Sequence, residues 1–122
     1  MEENGEARGE QLAEISNAIV GILREYYGRG PTKAKTYIFD DYVMTVLQDI
    51  LTTVERTLVE RGQEDLVRKV RLTFQEAVAD RFTNAVAQAT GRQVVSYHSQ
   101  VTFSPDMGFE VFVLEPGPDH DA

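Results

Sequence analysis

Apolar residues recur at steps of three and four over residues 11–27, where Leu12, Ile15, Ile19, Ile22, Leu23 and Tyr26 share one stripe. That period predicts an amphipathic helix, and Gly28 is a residue suited to ending it. The pattern then changes. Lys35–Phe39 and Tyr42–Leu47 are rich in β-branched and aromatic residues, with Asp40-Asp41 between them, which predicts a hairpin. Thr52 followed three residues later by Glu55 makes a capping box, opening a short helix that ends near Arg61. Residues 63–90 read as one long helix on the stripe Val67, Phe74, Val78, Phe82, Ala85 and Ala89, ended by Gly91. Residues 93–103 alternate. Val95, Tyr97, Ser99, Val101 and Phe103 point one way, and Ser96, His98, Gln100 and Thr102 the other. A turn over 104–108 leads to a last strand, 109–114, whose only polar residue is Glu110.

The predicted order is α-β-β-α-α-β-β. This is an α+β fold: a four-stranded, mostly antiparallel sheet with helices packed on one face. Residues 11–115 form the single domain, between acidic flexible tails at 1–10 and 116–122. The strands carry apolar residues on both faces. Tyr37 and Phe39 oppose Ile38, while Val43 and Leu47 oppose Tyr42, Met44 and Val46. A sheet with one wet face alternates more cleanly. A cover is therefore expected over the face the helices leave open: a second copy, making a homodimer, or a partner protein.

Composition narrows the chemistry. The 122 residues include 12 basic and 20 acidic side chains, for a net charge of −8, and no cysteine. Absent cysteine excludes a disulfide framework, a Cys-ligated metal and a thiolate nucleophile. Two histidines, His98 and His120, do not make a multi-histidine site, so neither metal nor cofactor is expected. Residues 1–10 and 115–122 each carry a net −3, which leaves the folded part nearly balanced. It has no basic field for nucleic acid. No apolar run approaches a membrane span, and the acidic start lacks a secretory leader. A cytoplasmic location is the expectation.

Five phrases, in order, carry a resemblance: GRGPTKAKTYIFDD (28–41), ILTTVERTLVERG (50–62), RLTFQEAV (71–78), TGRQVVSYHSQV (90–101) and EVFVLEP (110–116). Together they resemble the MpsC-like family, bacterial proteins of unknown function named for a cation-translocating, membrane-potential-generating system. The resemblance implies a soluble accessory subunit whose partner is a membrane transport protein. It brings no catalytic residues. Without a membrane span, such a subunit does not itself move an ion.

Candidate binding residues come from the side chains. Arg29, Lys33 and Lys35, with Gly30 permitting close approach, cluster three cations within seven positions and could hold a small anion. The loop nevertheless follows a helix C-terminus, whose dipole favours the arginine rather than an anion. Arg71 falls on the apolar stripe, where a charge must be paired or must line a cleft. Glu55 is its expected ion-pair partner. With an anion-recognition role instead, Arg71 would join the 28–35 loop in a sensor or regulatory module, helped by Arg81 and Arg92. His98 shares a strand face with Ser96, but no carboxylate or nucleophile completes a catalytic set. Asp40-Asp41 reads as a solvated turn, and His120 with Asp119 and Asp121 as part of the tail. The reading is of a non-enzymatic interaction protein.

Overall fold

The computed structural model describes residues 2–117, with side chains from residue 7 onward. Its elements are α1 (Glu2–Tyr27), β1 (Lys33–Phe39), β2 (Tyr42–Gln48), α2 (Thr53–Glu60), α3 (Glu64–Ala77), α4 (Ala79–Thr90), β3 (Val94–Phe103) and β4 (Asp106–Leu114). The four strands pair antiparallel in the order β1-β2-β4-β3. Two hairpins are thus joined through β2 and β4, leaving β1 and β3 as edges.

Alternation decides which face is covered. Val43 and Leu47 of β2, Val101 of β3, and Phe112 and Leu114 of β4 are buried on one side of the sheet. Against them lie Ile15, Ile19, Ile22 and Leu23 of α1, Val67 of α3, and Phe82 and Val86 of α4. Tyr97 is stacked between Phe82 and Phe112, with centroids 5.9 and 4.9 Å away. Burying each such large side chain contributes roughly 1.5–3 kcal/mol.

Local signals explain the joints. Asp40 takes a left-handed φ of 54° in the two-residue turn between β1 and β2, a conformation Asp tolerates. The capping box at Thr52 is complete: Thr52 Oγ1 accepts from the Glu55 amide, and Glu55 Oε1 accepts from the Thr52 amide. The Asp106 carboxylate accepts from the amides of Ile50 and Leu51, fixing the approach to α2. Gly108 is needed for space, since a Cβ there would meet Ile50 Cδ1 at 3.1 Å.

Three features differ from the sequence expectation. The helix foreseen over 63–90 is two helices, giving the order α-β-β-α-α-α-β-β. The break is at Val78, where φ −118° and ψ 22° end α3 and begin α4. A straight helix of that length would reach about 40 Å. The longest strand, with 10 residues, reaches only about 33 Å. With the break, α3 and α4 both contact β3. Second, α1 is helical from Glu2, through the residues expected to form an acidic tail. Of the other tail, residues 118–122, including Asp119, His120 and Asp121, lie outside the described residues. Third, the register shifts between Val94 and Ser96. This bulge turns Val95 outward, 63% exposed, and packs Val94 against the core instead. A bulge places two residues opposite one, which simple alternation does not anticipate.

Candidate functional site

The cations singled out from the sequence do not converge. Arg29 donates to the carbonyl oxygen of Leu51, tying the 28–31 loop to the start of α2. Gly30 packs against α1, where a Cβ would meet Val20 at 3.1 Å and Arg24 at 3.3 Å. Lys33 and Lys35 are exposed on β1, with Lys35 Nζ 5.2 Å from the Tyr37 ring centroid. Arg71 is on the opposite, helix-covered side and 3% exposed. Arg81 donates to Glu25 at 2.5 Å, linking α4 to α1. Arg92 donates to Asp41 and to the carbonyl of Glu115, each at 2.5 Å, clamping the β1–β2 turn. On β3, Ser96 Oγ and His98 Nε2 are 2.6 Å apart.

Two clusters built on buried carboxyl groups occupy the helix side of the sheet. In the first, Arg71 meets Glu55 in a two-pronged pair, Nε to Oε2 at 2.7 Å and Nη2 to Oε1 at 2.5 Å. Nη2 also donates to the carbonyl of Ile50 at 2.8 Å. The guanidinium lies 3.8 Å from the centroid of the Tyr27 ring. Burial alone would raise the Glu55 carboxyl, but hydrogen bonds from Arg71 and the Thr52 amide hold it below its usual value. Burial pushes the Tyr27 hydroxyl up to about 12.

The second group centres on Glu110, 2% exposed. Ser99 Oγ donates to it at 2.8 Å, and Tyr97 lies against its other oxygen. Tyr97 also donates to Gln75 Oε1 at 2.6 Å. Burial pushes Glu110 up to about 7, against the opposing hydrogen bonds of Tyr97 and Ser99 and the charge of Arg71. A phenol has one proton to give and here faces two acceptors. A protonated Glu110 resolves this: it donates to Tyr97, which donates to Gln75. The cavity bounded by Arg71, Gln75, Ser99 and Glu110 measures about 10 Å³, around the volume of one water. The group therefore shapes the interior and has no room for a larger ligand. Sequence reasoning passed over it, although one signal was present: Glu110 shares parity with Phe112 and Leu114, so the alternation that buries them buries it too.

Among the described residues, nothing covers the other side of the sheet. Cross-strand rows there read Phe39–Tyr42–Val113–Ser96, Tyr37–Met44–Val111–His98 and Lys35–Val46–Phe109–Gln100. The centre is apolar, the β1 margin carries two lysines and the β3 margin is polar and uncharged. Phe39 is 54% exposed and Tyr42 45%. No helix of the described residues is long and apolar enough to cross a membrane, and no cluster of three or more His, Asp or Glu among them could hold a metal.

Residues 7–116 match the family described as "Na+-translocating membrane potential-generating system (MpsC)". The chain belongs to the MpsC family. It is similar to the uncharacterized protein YbcI of Bacillus subtilis (strain 168), at 27% identity over 109 residues, covering 88% of each chain. No solved structure matches. The MpsC match takes in all eight elements except the first turns of α1.

Proposed function

We propose that this MpsC-family chain is a non-enzymatic interaction subunit that pairs through its bare sheet face with a second copy. The homodimer would serve, from the cytoplasmic side, a membrane system of the kind the family description names. The uncovered apolar face carries the reading. Its apolar centre and polar margins have the layout of an interface core and rim. The charges set how a second copy would sit on this face. A two-fold axis parallel to the strands lays the Lys33/Lys35 margin of each copy over the partner's uncharged β3 margin. An axis across the strands would set lysine margin against lysine margin. The interior supports the non-enzymatic part, because Arg71, Glu55 and Arg29 are each engaged in bonds that hold elements together.

Light scattering tests this. The protein is expected at about twice its 13.7 kDa chain mass. Val111→Glu places a carboxylate in the middle of the face, points away from the core, and should yield a folded monomer. Burying that charge unpaired costs several kcal/mol. A wild-type monomer at high micromolar concentration, or a dimer unmoved by Val111→Glu, would overturn the reading.

A further inference from the structure

We infer that the free edge of β3, together with the facing wall of α3, is a groove for an extended peptide strand of a partner protein. The inference rests on the reading of the chain as an interaction subunit, but uses a different surface.

Main-chain geometry shows what the edge offers. The Asp49 amide donates to the Asp106 carbonyl, and the Glu115 amide to the Gln93 carbonyl. Even-numbered residues of β4 therefore face β2, and odd-numbered ones face β3. Through the β3–β4 register, Ser96, His98, Gln100 and Thr102 face β4. Tyr97, Ser99, Val101 and Phe103 turn their amides and carbonyls to the open edge. Among the described residues, the Val101 amide is met there by its neighbour's side chain, Gln100 Oε1, at 3.2 Å.

The two edges of the sheet are treated differently. β1 bears exposed Lys33 and Lys35, and Arg8 of α1 donates to the Ile38 carbonyl at 3.3 Å. Such charges and covers keep edges from pairing. From Ser96 to Phe103, β3 has no charged residue and no proline. A long edge without these guards is suited to taking another strand.

The wall of α3 specifies that strand. A cleft of about 430 Å³ lies between Leu72, Glu76 and Ala79 and the Tyr97–Ser99 stretch. A second, about 410 Å³, lies between Glu64 and Arg68 and the Val101–Phe103 stretch. Arg68, Leu72 and Glu76 stand four residues apart, about 6 Å per step along a helix. Alternate residues of a strand advance about 6.7 Å. An added strand thus meets each of the three with every second side chain. Arg68 spans Phe103, 5.0 Å from its ring centroid, and shares Asp65 at 3.3 Å. Glu76 is exposed and makes no ion pair among the described residues. The fitting sequence, antiparallel to β3, is acidic-x-apolar-x-basic: the acid at Arg68, the apolar residue at Leu72, the base at Glu76.

The probe is a labelled peptide, acetyl-Thr-Glu-Thr-Val-Thr-Lys-Thr, followed by fluorescence anisotropy with the full chain. Its Glu, Val and Lys amides face β3, and the central Thr amides face away. N-methylation of the Val amide should abolish binding, while N-methylation of the Thr beside it should leave binding intact. Glu76→Lys should weaken binding roughly three- to fivefold, and a peptide with Glu in place of its Lys should recover it. The Tyr97 and Ser99 amides should exchange more slowly with peptide bound. Equal binding by both N-methylated peptides, or no binding of the parent at millimolar concentration, would overturn the proposal. So would dissociation of a dimer by the peptide, which would assign the edge to a second copy. A wild-type monomer would remove the face-to-face dimer and leave every peptide readout unchanged.

Discussion

Replacing Arg71 by alanine is expected to cost about 3–5 kcal/mol of folding stability. The guanidinium is almost fully enclosed and is held by Glu55, by the Ile50 carbonyl and by the face of Tyr27. Its loss leaves the Glu55 carboxylate inside the protein without its counter-charge. It also loosens the capping box, since Glu55 is the acid that closes it. Arg71→Met with Glu55→Met should recover much of the loss, because two apolar side chains leave no charge stranded. The pair has a defined pH dependence. Glu55 is held below its ordinary value, so its stabilisation is present above pH 4.5 and drains away as pH falls through the lowered value. Urea unfolding of the three proteins at pH 6, and of the wild type at falling pH below 4.5, measures all of this. A cost under about 1 kcal/mol for Arg71→Ala would mean that the pair behaves as an exposed one.

Glu110→Gln should do the reverse and make the protein more stable at alkaline pH. The folded protein holds the Glu110 proton up to about pH 7, whereas the free side chain releases it near 4.5. The folded state therefore binds the proton more tightly. Its contribution is fully present below pH 4.5 and is lost as pH rises through 7. The difference in proton affinity corresponds to roughly 3 kcal/mol lost by pH 8. Glutamine keeps the shape, stays neutral and can donate to Tyr97, so the variant should lose little over that range. Unfolding free energies at pH 5 and pH 8, wild type against Glu110→Gln, provide the check. Parallel pH profiles would show that Glu110 is ionised in the folded state without penalty.

Much of this molecule is legible in its sequence, because the signals are local. The helical period of α1, the Thr52–Glu55 box and the paired hairpins each depend on neighbours a few residues apart. The fold class follows from them. The break at Val78 was not legible, because neither glycine nor proline marks it. The Val95 bulge was hidden as well, since register is set jointly by β3 and β4. The polar interior was half legible. Arg71 stands out as a charge on an apolar stripe, and Glu55 lies within reach of it. Glu110 is a single acid in an apolar strand, and its consequence depends on Tyr97 and Gln75 arriving from two other elements. The basic loop shows the opposite limit. Arg29, Lys33 and Lys35 are close along the chain, yet the turn into β1 sends the lysines to one side and Arg29 to the α2 junction.

The open rim of β3 also bears on how the molecule behaves when crowded. At a net charge of −8, copies repel one another at low ionic strength, and added salt screens that repulsion within a few ångströms at molar levels. Main-chain pairing along an uncharged rim is not weakened by the same screening. Salt therefore tilts the balance toward sticking, and colloidal lifetime depends on ionic strength in the sense opposite to that of an assembly held by ion pairs. A strand docked from a partner would stop up that rim and act as a solubiliser of the protein it binds.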